Sequence, residues 1–175
     1  AFNSYGLFRV MTTTRPEIII EGSLDGKTWH PYAFKYKPTN PKQSPQFAGP
    51  HMPRIDWQMW FEGLNYERFA AHPFSRMLYH KFLTMIALGK SIEDFKDLRK
   101  VLGPQEYQKL VQSPPEIQQR VLQNYNSLFN AFASRSLWFG QLLASILEHR
   151  PEIMKQLGQK FEDLPQKPNY LRISL

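Results

Sequence analysis

The chain has no cysteine. That absence removes disulfides, thiolate nucleophiles and cysteine-ligated metal centres at once. It leaves the compartment open, because cysteine-free chains occur in oxidising and reducing settings alike. Asn-x-Ser/Thr sequences are missing too: none of Asn3, Asn40, Asn65, Asn124, Asn126, Asn130 and Asn169 has Ser or Thr two places on. This weighs against a glycosylated lumenal setting without excluding it. Long hydrophobic runs are also lacking. The longest, LWFGQLLASIL from Leu137 to Leu147, falls well short of the ~20 apolar residues of a membrane-spanning helix. No metal-ligand spacing such as HExxH occurs, nor a nucleophile with a base and an orienter. No catalytic residue, metal ligand or cofactor is therefore assigned, and the sequence reads as a binding module and not an enzyme.

What is present is enough for a core. The 175 residues are 42% hydrophobic and 14% aromatic, which suits one domain that needs no staples. Net charge is +7, with seven Lys/Arg against five Asp/Glu up to Glu62 and fifteen against ten beyond it. The surplus is spread out, with no basic cluster and no aromatic stacking motif, so nucleic acid is not expected as a partner. No run of four to eight Lys/Arg marks an anionic membrane surface either. The 14 prolines crowd residues 31–53 and 165–168, which read as ordered loops. Ala1 opens directly into an apolar segment and Leu175 closes one, so a soluble piece of something larger is expected.

The first third has strand character. Tyr5–Thr14 is rich in aromatic and β-branched residues; Arg15-Pro16 interrupts it, and the apolar run EIIIE (17–21) follows. Three consecutive isoleucines do not alternate, which predicts a strand covered on both faces. Asp25-Gly26 supplies the positive φ of a tight turn. Thr28–Lys37 follows, with Tyr32, Phe34 and Tyr36 on one side of a half-buried strand. Residues 38–53 form a long Pro/Gln/Ser loop, of a kind often functional. HMPRIDWQMWF (51–61) is a strand or a short helix; its periodicity does not decide.

From Phe69 the pattern is helical, with Phe74, Met77, Leu78, Phe82, Met85 and Ile86 spaced by three and four. Ser91 is expected to cap a second helix, with Asp94 in its first turn and Gly103-Pro104 ending it. Glu116–Ala133, Leu137–His149 and Pro151–Leu157 complete the helices, and Phe129/Phe132 and Trp138/Leu142 read as ordinary core. His72, His80 and His149 fall in these segments and read as surface residues. The final NYLRISL (169–175) returns to a strand that pairs with the N-terminal sheet. No internal repeat is visible.

PEIIIEGSLDGKTW (16–29) resembles the hairpin of discoidin-like, galactose-binding-type β-sandwiches. There the hairpin is scaffold, so Arg15, Glu21, Asp25, Gly26 and Trp29 are assigned structural roles, with Asp25 a turn residue and not a calcium ligand. The fold expected is α+β: a discoidin/galactose-binding-like antiparallel β-sandwich closed by a C-terminal strand, with an inserted helical layer. Its parts are 1–64 (β-rich), 65–160 (helical) and 161–175 (the returning strand).

Longer blocks resemble the soluble region of the lipase maturation factor family. They are NSYGLFRVMTTTRPEIIIEGSLDGKTW (3–29), YAFKYKP (32–38), PHMPRIDWQMWFEGL (50–64), SLWFGQLLASILEHRPEIMKQL (136–157) and DLPQKPNYLRISL (163–175). Residues from about 66 to 135 read as an insertion relative to the animal proteins. With the missing cysteines and sequons, that suggests a bacterial or otherwise divergent member. The resemblance implies a parent with an N-terminal multi-spanning membrane region and this chain on the non-cytoplasmic side. That side is the periplasm in a bacterium and the endoplasmic reticulum lumen in a eukaryote. It implies folding assistance to secreted clients, homodimeric lipases in animals, and contact with the protein's own membrane region.

Candidate client- or ligand-binding residues are His51, Arg54, Asp56, Trp57, Gln58 and Trp60, with Glu62 close by. Asp56 or Glu62 with His51 has the residue types of an acid/base pair, though a structural or binding role suits the set better. Arg54 and Asp56 share a face on a strand and splay on a helix; flanking tryptophans would leave them to satisfy each other. Trp57, Trp60 and Phe61 are either core or an exposed aromatic platform beside the proline-rich loop. Two rivals remain: a carbohydrate-binding module, and an enzyme domain completed by membrane helices. The enzyme reading requires His51, Arg54 and Asp56 together in a solvent-facing cleft.

Overall fold

The computed structural model describes residues 13–36, 42, 44, 46–50, 54–157 and 167–174. Three short strands come first and last in the chain. β1 (Ile19–Ser23) lies between β2 (His30–Pro31) and β3 (Tyr170–Ser174), and both neighbours run antiparallel to it. Ile20 faces Ile173, and Glu21 faces Arg172. The C-terminal strand thus closes the N-terminal hairpin. Between them run the helices α1 (Arg54–Ala70), α2 (Pro73–Ala87), α3 (Leu98–Val101), α4 (Pro104–Val111), α5 (Pro115–Leu147) and α6 (Pro151–Met154), with a 3₁₀ turn over Phe95–Asp97.

The core lies where the inner face of the sheet meets α1, α2 and α5. Ile18, Ile20, Tyr32, Met59, Tyr79, Phe82, Phe132, Phe139 and Ile146 are buried together there. Close approach has identifiable causes. A Cβ on Gly140 of α5 would stand 2.8 Å from Ile86 Cβ on α2. One on Gly63 of α1 would stand 2.5 Å from the Pro16 carbonyl oxygen. Both distances are too short for real contacts, so glycine is what lets α5 meet α2, and α1 meet the lead-in to β1.

Several expectations change. Ile18 and Ile20 are buried, but Ile19 is 43% exposed: helices cover one face of β1 only, so the strand's two-residue period decides which isoleucine points out. Thr28–Lys37 contributes only the two residues of β2 and a bridge from Phe34 to Leu157. Pro31 has no N–H to extend an edge ladder. Even so, Tyr32 and Phe34 are buried on the expected side. The helical part begins at Arg54, ahead of residue 65, and HMPRIDWQMWF is helical from Arg54 on.

Glu116–Ala133 and Leu137–His149 are one helix of 33 residues. The serines between them do not break it: Ser134 bonds back to the Ala131 carbonyl at 2.9 Å, and Ser136 turns into the core. The turn after α2 starts at Asp94, whose N–H donates to the Asp97 carboxylate at 3.1 Å. Ser91 donates to Glu93 instead of capping. On α2, Tyr79 and Leu83 take the inward positions while Phe74 and Met77 face out.

A β-sandwich requires more strands than this sheet has. Tyr5–Thr14, the segment expected to supply one, lies outside the described residues apart from Thr13 and Thr14. Among the described residues, no helix is long and apolar enough to cross a membrane.

Candidate functional site

α1 carries the candidate residues, and its two faces differ in kind. Asp56, Met59, Glu62, Gly63 and Tyr66 recur at helical spacing and are all buried. Trp57, Trp60 and Phe61 lie on the other side.

The buried face is held by two carboxylates. Asp56 accepts the backbone N–H of Tyr36 at 2.9 Å, fixing the segment that follows β2 against the start of the helix. Glu62 lies where three helices meet. Its Oε1 accepts the Tyr79 hydroxyl of α2 at 2.5 Å and the Ser136 hydroxyl of α5 at 2.8 Å, while Oε2 has no hydrogen-bond partner. Burial pushes the Glu62 carboxyl above its ordinary value, against the lowering effect of its hydrogen-bond donors. Burial and the neighbouring Glu62 push the Tyr79 phenol strongly upward as well. Next to this junction, the Tyr66 hydroxyl lies 3.2 Å from His80 Nε2. His80, expected on the surface, is half-buried, and desolvation, with Arg76 nearby, lowers its pKa.

The outward face is an aromatic ridge. Trp57, Trp60 and Phe61 are 52%, 36% and 46% exposed. Ring centroids stand 6.1 Å apart for the two tryptophans, and 5.5 and 5.4 Å from each to Phe61. Spacings of three and four place them on one helical stripe, so they pack edge-on against one another and present the remainder to solvent. Of the two readings open for these rings, the exposed platform is the one seen. Contiguous exposed aromatics of this kind mark interaction surfaces.

The other candidates are dispersed around the helix. Arg54 is exposed and Gln58 half-buried. The helix splays Arg54 from Asp56, and Asp56 bonds to the Tyr36 backbone, so the expected Arg54–Asp56 satisfaction does not occur. An exposed arginine and a buried aspartate do not line one cleft. His51 lies outside the described residues. Among the described residues, no three acidic or histidine side chains converge as metal ligands.

The assigned structural set surrounds the hairpin. Asp25 Oδ1 accepts the N–H groups of Lys27 and Thr28 at 2.8 Å each and the Ser23 hydroxyl at 3.0 Å. The two backbone donors, first Thr28 and then Lys27, with the Ser23 hydroxyl hold its carboxyl down to about 2. Gly26 takes φ +72°, which the turn needs. Across the sheet, Arg172 bonds Glu21 at 2.7 Å and stacks over Trp29 at 4.5 Å. Arg15 pairs with Glu17 at 3.0 Å.

Glu62 is the residue whose weight sequence reasoning missed. The available signal was a carboxylate on the same helical stripe as Met59 and Tyr66, where an apolar side chain belongs. What it bonds to, 17 and 74 residues away, is set by tertiary packing.

These features belong to a known family of domains. Residues 1–92, more than half of the chain and including α1 and α2, match the lipase maturation factor C-terminal domain. The chain belongs to that family. Among its relatives, mouse lipase maturation factor 2 is 56% identical over 64 residues, covering 35% of this chain and 9% of that protein. Chicken lipase maturation factor 2 is 44% identical over 90 residues, 50% of this chain and 12% of that one. Bovine lipase maturation factor 1 is 38% identical over 65 residues, 34% and 12% respectively. The matched part of the chain thus spans about a tenth of the length of these relatives. All three are vertebrate proteins, which gives no support to a bacterial source. No solved structure matches.

Proposed function

We propose that this chain is an extracytoplasmic part of a membrane-anchored lipase-maturation protein, and that it assists a secreted, lipase-like client by gripping exposed apolar segments on the Trp57–Trp60–Phe61 ridge. The observation that carries the reading is the ridge itself. Three large rings stand half in water on a helix whose opposite face is fastened by Asp56 and Glu62. A fold that needed those rings for its core would have buried them. Membership of the lipase maturation factor family supports the choice of client. It also supports a lumenal position beside the endoplasmic reticulum membrane.

The magnitude suits a chaperone. About half of each ring remains open, so on the order of 300 Å² is available in total if a buried aromatic covers about 150–250 Å². At about 25 cal/mol/Å² this is roughly 7 kcal/mol of gross burial. Association itself costs about 4–15 kcal/mol. The ridge therefore supports brief contacts that a folding client escapes once its own apolar segments are buried. Arg54, exposed one turn before Phe61, adds a side chain of the type enriched at interaction hot spots.

The test is a triple substitution, Trp57→Ser, Trp60→Ser and Phe61→Ser, in the full-length protein, expressed in cells lacking their own lipase maturation factors. Secreted lipase activity per unit of lipase made should fall severalfold at equal levels of the factor. Undiminished activity would overturn the proposal.

A further inference from the structure

A cavity of about 550 Å³ lies between β3 and the helices α2 and α5, away from the ridge. Its walls are mainly apolar, with Leu83, Ala87, Leu143, Leu147 and Ile173. A second hollow of about 310 Å³ adjoins it, and Lys81, Lys90 and Lys100 border that one. His80, Thr84 and Leu88 line both. They lie four residues apart on one stripe of α2, so the two hollows share a wall and read as one groove with an apolar end and a cationic end.

We propose that this groove binds a long-chain fatty acid, with the acyl chain against Leu83, Leu143 and Leu147 and the carboxylate at the lysines. Each end limits the occupant. The larger hollow falls within the roughly 300–1,000 Å³ typical of small-molecule sites, and its leucines suit an unbranched hydrocarbon. The lining of the smaller hollow has three lysines and no acidic side chain, which selects an anion by charge. Of those lysines, Lys100 bonds Asp97 at 2.6 Å and Lys81 donates to the Val101 carbonyl at 2.5 Å. Lys90 is exposed at the rim. Leu88, 57% exposed where the hollows meet, has a reason to be there if an acyl chain passes over it. Burial keeps the His80 imidazole neutral near pH 7, so the shared wall carries no charge against the chain.

The test titrates the full 175-residue chain with sodium oleate below its micelle concentration, with oleyl alcohol as the uncharged comparison, following Trp29 fluorescence in the cavity wall. Oleate should bind saturably, one per chain, at least tenfold more tightly than oleyl alcohol. Lys90→Gln with Lys100→Gln should abolish that preference while leaving the alcohol's affinity unchanged. Thr84→Phe, at an exposed position on the shared wall, should weaken both ligands at least tenfold. Ala87→Phe should do the same, and circular dichroism identifies whichever variant stays folded. Absence of saturable oleate binding overturns the proposal. So does equal binding of acid and alcohol, which would mark a headless apolar occupant such as a client side chain. Oleate binding that ignores both plugging substitutions overturns it as well. These outcomes are independent of the ridge, because none of the substituted residues lies on α1.

Discussion

Replacing Glu62 by alanine takes the shared acceptor from two buried hydroxyls. Tyr79 at 2.5 Å and Ser136 at 2.8 Å both donate to the same oxygen, and each stands on a different helix. A buried donor left without a partner costs about 1–3 kcal/mol, so the pair is worth about 2–6 kcal/mol before any cost of the void. Against a typical total stability of about 5–15 kcal/mol, that is a large share. The assay is urea unfolding followed by circular dichroism, in which the midpoint should drop with little change in slope. Glu62→Gln refines it. The amide keeps an acceptor for both hydroxyls and never ionises. In the native chain, the carboxyl's folded-state pKa is raised above its ordinary 4.5. The stability tied to the protonated group is therefore fully present below that value and is lost as pH rises through the folded-state one. The glutamine variant should thus gain on the native chain as pH increases. An alanine variant within about 0.5 kcal/mol of the native chain, the range of ordinary surface substitutions, would refute the reasoning, as would parallel pH profiles for the native and glutamine chains.

Gly140→Ala should cost about 1–3 kcal/mol in the same unfolding assay, because its Cβ would meet Ile86 and force α2 and α5 apart. The triple ridge substitution should shift stability by no more than about 0.5 kcal/mol per position, as exposed sites do, separating any loss of lipase maturation from loss of fold. Asp25 should titrate at about 2 by NMR. Its carboxylate supports the hairpin above the ordinary 3.8, and that support is lost as pH falls toward about 2. Asp25→Ala should abolish this acid-dependent loosening of the Lys27 and Thr28 amides, read by hydrogen exchange.

Local signals were legible and long-range ones were not. Asp25-Gly26 announced its turn because the requirement for positive φ is written in two residues. NYLRISL announced a returning strand through its composition, and β3 does pair with β1. The EIIIE run misled because an apolar residue can sit on an uncovered face; only the layout of the helices shows that Ile19 has nothing above it. DWQMWF was ambiguous because aromatics favour strands while the spacing of 57, 60 and 61 favours a helix. The long α5 was divided at Ser134-Arg135-Ser136 because serine is a poor helix former in isolation, whereas here Ser136 is drawn inward by Glu62. The family blocks pointed to the right relatives without locating the ridge, since a tryptophan in a motif looks alike whether buried or exposed. The groove was invisible to periodicity, because its walls come from α2, α5 and β3.

The central claim is that the ridge touches the client. A benzophenone side chain placed at Phe61 of the full-length protein, photoactivated while a secreted lipase is being made, tests it most directly. The ridge account requires a covalent lipase adduct from position 61 that fades as the lipase reaches its native state, and little adduct from exposed Arg120 on α5. No lipase adduct from position 61, or equal adducts from both positions, would contradict it.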